Sequence, residues 1–133
     1  MATILLIGTD EALLEGVAQL LAGSGHATSM AHTLSEGKAL AAVQQPLAVL
    51  VETGMALEDP HGIPTPMPRG GAVLLYRTDE RPSTVIPPSL QRLVLADLAL
   101  PLERHRLLTL VRCMADRAFV TGRRELPEER RTH

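Results

Sequence analysis

The sequence predicts an α/β protein: five short parallel strands alternating with helices in one doubly wound domain. Three observations carry that expectation. Continuous apolar runs of strand length recur along the chain, as in parallel strands buried on both faces. Between several of them lie segments with helical apolar spacing. The aromatic content is 2%, with one Tyr, one Phe and no Trp, so the core is built from Leu, Val, Ile and Ala.

The elements follow in order. Ile4-Leu5-Leu6-Ile7 is an apolar run ended by Gly8, read as strand one. Thr9 is placed to cap a helix whose first turn holds Asp10 and Glu11, where acids favour the positive end of the helix dipole. Leu13, Val17, Leu20 and Leu21 form its stripe, and Gly23 or Gly25 stops it. Residues 26–30 are a short second strand. Thr33 and Glu36 have the spacing of a capping box and open a helix through Leu40 and Val43, ended by Pro46. Leu47 to Val51 is the third strand, ending at Glu52. From Thr53 to Gly71 the prolines at 60, 64, 66 and 68, with four glycines, predict no regular helix. Ala72 to Tyr76 is the fourth strand; residues 77–92 leave room for one or two helical turns near Ser89–Arg92. Leu93 to Leu98 is the fifth strand. A helix over 102–118 buries Leu107, Val111, Met114 and Ala118. Residues 1–120 are therefore expected to form the domain, and 121–133, charged and holding Pro127, a solvated tail.

At 133 residues the chain suits one domain. The net charge of −2 and the lack of aromatic platforms argue against nucleic-acid binding. No apolar run reaches the length of a membrane span, and the start lacks the basic and apolar regions of a secretory signal. With the single Cys113 ruling out an internal disulfide, a cytoplasmic protein is expected. The five histidines show no metal-ligand spacing, and neither a metal nor a cofactor is expected.

Three segments in order resemble the receiver domain of bacterial response regulators over residues 3–118. They are Ile4-Leu-Leu-Ile before a polar turn, Pro46-Leu-Ala-Val-Leu-Val-Glu52-Thr-Gly-Met55, and Leu98-Ala-Leu-Pro101-Leu followed by Glu103 and a helix. The resemblance implies a flavodoxin-like (CheY-like) sheet in the order 2-1-3-4-5, here with the third helix missing and the fourth shortened. It also implies the chemistry such a site needs. An acidic pair after strand one holds Mg²⁺ through oxygen ligands. An Asp at the end of strand three attacks the phosphoryl group. A Thr or Ser after strand four and a Lys after strand five bind the phosphoryl oxygens.

This sequence departs from that pattern at each position. Gly8 and Thr9 stand in place of the acidic pair, with Asp10 just beyond. Glu52 takes the phosphoacceptor position, Tyr76 (or Arg77 or Thr78) the Thr/Ser position, and Leu100 replaces the Lys. Each lost electrostatic contact removes several kcal/mol of transition-state stabilisation, on the order of 3. The expectation is a non-enzymatic pseudo-receiver. Glu52 has two readings: an acid imitating the phosphorylated state, or a carboxylate reaching solvent at a strand end.

The sheet face under the missing third helix needs cover, since strands three to five lack polar alternation. Loop residues Met55, Ile63, Met67, Val85 and Ile86, plus a homodimer contact, are expected to supply it. The functional expectation is a stand-alone signalling protein of two-component or phosphorelay type, acting by contact with a protein partner such as a kinase, a regulator or an output protein. The alternative is a regulator that binds a small ligand in the vacated acidic pocket bordered by Gly8, Thr9, Glu52, Tyr76 and Leu100.

Overall fold

In the computed structural model the described residues are 3–65, 71–78, 87–100 and 102–131, with side chains described as far as residue 117. The elements run β1 (Thr3–Ile7), α1 (Glu11–Gly23), β2 (Ala27–Ala31), α2 (Leu34–Gln44), β3 (Ala48–Glu52), α3 (Thr53–Glu58), β4 (Ala72–Arg77), α4 (Pro88–Gln91), β5 (Val94–Ala99) and α5 (Arg104–Arg131). The five strands form one parallel sheet in the order β2-β1-β3-β4-β5. That is the expected topology.

Alternation along each strand divides the core into two layers. Ile4, Leu6, Ala48, Leu50, Leu74, Tyr76 and Leu98 face α1 and α5, meeting Leu14, Val17 and Leu21 from one helix and Leu107, Val111 and Met114 from the other. Leu5, Ile7, Val49, Val51, Val73 and Leu75 face the opposite layer, where Ala41, Ala56 and Leu90 come from α2, α3 and α4. The central strands β1, β3 and β4 are thus buried on both faces, which accounts for their unbroken apolar runs.

Several helix details differ from expectation. Asp10, not Thr9, caps α1: its carboxylate accepts from the Leu13 N–H at 3.1 Å. Thr33 caps α2 as expected, accepting from the Glu36 N–H. The stripe of α2 is carried by Gly37 and Ala41, while Val43 is 83% exposed. Gly37 lies so close to Ile7 that a Cβ there would collide with it. Small residues let this helix approach the sheet, so size rather than apolar spacing sets its buried face.

The third helix is shortened rather than missing. Thr53–Glu58 is helical, followed by a 3₁₀ turn at Pro60–Gly62. The first proline of this region comes only at position 60, so it ends a helix and does not prevent one, and Met55-Ala56-Leu57-Glu58 are all good helix formers. Asp59 then accepts from the Gly62 N–H and closes the turn. Ile63 is buried, as expected of loop cover, whereas Met55 packs on the same layer from α3 rather than from a loop; Met67, Val85 and Ile86 lie outside the described residues. α4 is a single turn. α5 continues to Arg131, so the expected boundary at residue 120 falls within a helix rather than beyond its end near 118. Pro127 removes one backbone donor, but the residues around it are mostly strong helix formers.

Candidate functional site

At the carboxyl edge of the sheet, strand register brings the expected positions together. Ile7 pairs with Val51, so Gly8 follows on beside Glu52, and Glu52 pairs directly with Tyr76. Alternation turns Gly8, Glu52 and Tyr76 to the face shared with α1 and α5. Leu100, just beyond β5, is buried in that same layer. Its backbone N–H donates to the Arg77 carbonyl at 2.9 Å.

Tyr76 dominates the arrangement. Its side chain is fully buried and lies over Gly8. A Cβ on residue 8 would overlap the Tyr76 hydroxyl and approach Cζ to 3.0 Å and a Glu52 carboxylate oxygen to 3.4 Å. Any side chain at position 8 therefore competes with the phenol for one volume. Part of the space read from the sequence as a vacated acidic pocket, directly over Gly8, is taken by the Tyr76 phenol.

Glu52 is half-buried and tied to the β1–α1 loop. Its Oε2 accepts from the Thr9 backbone N–H at 3.0 Å and from the Thr9 hydroxyl at 2.9 Å. This pairing engages the Thr9 hydroxyl, so it does not cap α1. Neither of the contacts that would make Glu52 a phosphoryl mimic is in place. The Lys position holds buried Leu100, and the Thr/Ser position holds Tyr76.

The ambiguity around Tyr76 is resolved by the sheet. Arg77 projects to the opposite face and pairs with Asp97 at 2.7 Å, both side chains largely shielded from solvent. Thr78 is exposed beyond the strand. On the same edge the Thr53 hydroxyl donates to the Tyr76 carbonyl at 2.9 Å, joining the start of α3 to the end of β4.

The phenol hydroxyl is buried without a hydrogen-bond partner among the described residues. Burial, with Glu52 and Asp10 adding negative potential, pushes its ionisation well above the ordinary tyrosine range. It thus remains a neutral donor without an acceptor among the described residues. Tyr76→Phe removes that unmet group and keeps the ring, so the variant is expected to equal the wild type or gain up to about 1 kcal/mol in urea unfolding. A loss of more than about 1 kcal/mol would show that the hydroxyl is bonded.

The residues do not fit the Mg²⁺ that the receiver resemblance implies. Gly8 has no side-chain ligand, the Thr9 hydroxyl is engaged by Glu52, one Asp10 oxygen caps α1, and the Tyr76 hydroxyl lies over Gly8. Among the described residues no group of three His, Cys, Asp or Glu is arranged to hold a metal ion. Cys113 is exposed on α5, away from this edge. The sequence points to Gly8, Thr9, Asp10, Glu52, Tyr76 and Leu100 but not to Thr53 or Asp97, nor to Tyr76 reaching back over Gly8. The signal was a glycine after a buried strand with the chain's one tyrosine near the end of the strand two places across the sheet.

No family model and no curated protein matches the sequence. Solved structures do match in shape. The pseudo-receiver domain of the CikA protein superposes with a TM-score of 0.58 at 18% identity, covering 86% of this chain and 98% of that one. A response regulator receiver domain protein from Clostridium thermocellum gives a TM-score of 0.65 at 15% identity, covering 91% and 99%. A response regulator receiver modulated diguanylate cyclase from Pelobacter carbinolicus gives 0.67 at 14% identity, covering 92% and 98%. With the strand order and the edge geometry above, these likenesses establish that the chain has the fold of response regulator receiver domains.

Proposed function

We propose that this chain is a non-enzymatic, receiver-like signalling module that works through protein contact and without aspartyl phosphorylation. The observation that carries the reading is the edge row of Gly8, Glu52, Tyr76 and Leu100. It contains one carboxylate, no cation and a buried ring where phosphoryl transfer needs a metal, a nucleophile and a positive charge. Likeness to a structure described as a pseudo-receiver domain supports it. The other support is surface chemistry. Leu93 and Leu95, before and within edge strand β5, are about half exposed, and Leu102 before α5 is 73% exposed. Exposed apolar side chains along edge strand β5 and its flanks suit a protein partner better than bulk water.

Incubation with a small phosphodonor and Mg²⁺, followed by intact-mass measurement, tests the reading. The expected mass is unchanged; a gain of one phosphoryl group, abolished by Glu52→Gln or Asp10→Asn, would refute it. Light scattering over a dilution series tests whether the partner is a second copy: a homodimer contact predicts a mass that rises with concentration, and a constant monomer mass assigns the surface to a different protein.

A further inference from the structure

We propose that Tyr76 is an internal ligand of the receiver site: its ring, seated on Gly8, closes the site to a cation and holds this edge of the sheet in one arrangement. The inference goes beyond the partner-contact reading, because it concerns what keeps the site shut whatever the partner is. Three features support it. First, the fit between Gly8 and Tyr76 is exclusive, since even a methyl group at position 8 overlaps the phenol hydroxyl. Second, the hydroxyl is buried with no partner among the described residues, so shape rather than hydrogen bonding retains the ring. Third, the surrounding loops are fastened to the strand ends that flank Tyr76. Glu52 binds Thr9 from the β1–α1 loop, Thr53 binds the Tyr76 carbonyl at the start of α3, and Leu100 beyond β5 binds the Arg77 carbonyl. The loops that leave β1, β3 and β5 are thereby linked to the strand ends around one buried side chain.

The consequence is that missing carboxylates are only half of the closure. Restoring acids at positions 8 and 9 would not by itself reopen the site, because the first of them needs the volume the ring occupies.

Two measurements test this. In a double-mutant cycle, Gly8→Ala is expected to lower the melting temperature by roughly 5–10 °C with Tyr76 present, and by less than about half of that in a Tyr76→Thr background. Equal shifts in both backgrounds would overturn the proposed interlock. The second measurement compares Gly8→Asp/Thr9→Asp with Gly8→Asp/Thr9→Asp/Tyr76→Thr in a Mg²⁺ titration followed by thermal melting. The triple variant is expected to gain roughly 3–5 °C at Mg²⁺ about tenfold above its dissociation constant, and the acid pair alone to gain nothing. A Mg²⁺ response with Tyr76 in place, or none without it, would overturn the proposal. Either failure would leave the wild-type phosphodonor result untouched, so the two readings fall separately.

Discussion

Replacing Tyr76 with alanine is expected to lower the unfolding free energy by about 3–5 kcal/mol, the range for removing a large, fully buried aromatic side chain. The ring has no solvent exposure and packs in one layer with Leu50, Leu74, Leu98 and Leu100. Its removal costs the transfer free energy of the ring and leaves a cavity beside β3 that rigid parallel strands are poorly placed to collapse. The hydroxyl adds nothing on the other side, since among the described residues it has no partner to lose. Urea unfolding should therefore rank the variants with Tyr76→Phe at or above wild type and Tyr76→Ala far below. Near-equal stability of Ala and wild type would mean that the ring does not occupy the core.

Leu107→Ala is the second large effect, a loss of about 2–5 kcal/mol. Leu107 is fully buried and, with Val111 and Met114, forms the stripe by which α5 lies on the sheet. The backbone of its turn is anchored at Glu103, whose carboxylate accepts from the Ala99 N–H at 2.8 Å and from Arg106 at 3.1 Å. Those bonds hold Glu103 below the usual carboxylate range and fix the corner between β5 and α5. Weakening the apolar anchor should loosen α5 against β5, where the exposed leucines lie. Hydrogen exchange would show the loosening as faster exchange in α5 before global unfolding; unchanged protection there would contradict it.

The sheet was legible because its signal is redundant. Each of Ile4–Ile7, Leu47–Val51 and Ala72–Leu75 is an apolar run with a polar or glycine stop, and register follows once the strands are parallel neighbours. The edge residues were legible for the same reason, since a strand end is a defined place. What was not legible depends on side-chain reach and on size. Nothing in a linear reading says that Tyr76, one residue before the end of β4, leans over β3 so that its hydroxyl lies on the residue after β1. The face of α2 was hard to read for the same reason: it buries Gly37 and Ala41, which bring the helix close to Ile7, with Leu40 packed at the side and Val43 exposed. α3 was lost to a proline count that ignored where the first proline stands.

A receiver fold closed by Tyr76 at this edge, as proposed, does not switch. Backbone amide NMR spectra of the wild-type chain, recorded before and after adding Mg²⁺ with beryllofluoride as a stable phosphoryl analogue, test it most directly. The account predicts superimposable spectra, with the amides of Gly8, Thr9, Glu52, Tyr76 and Leu100 unmoved. Saturable shifts centred on those residues would show an open, responsive site and contradict it.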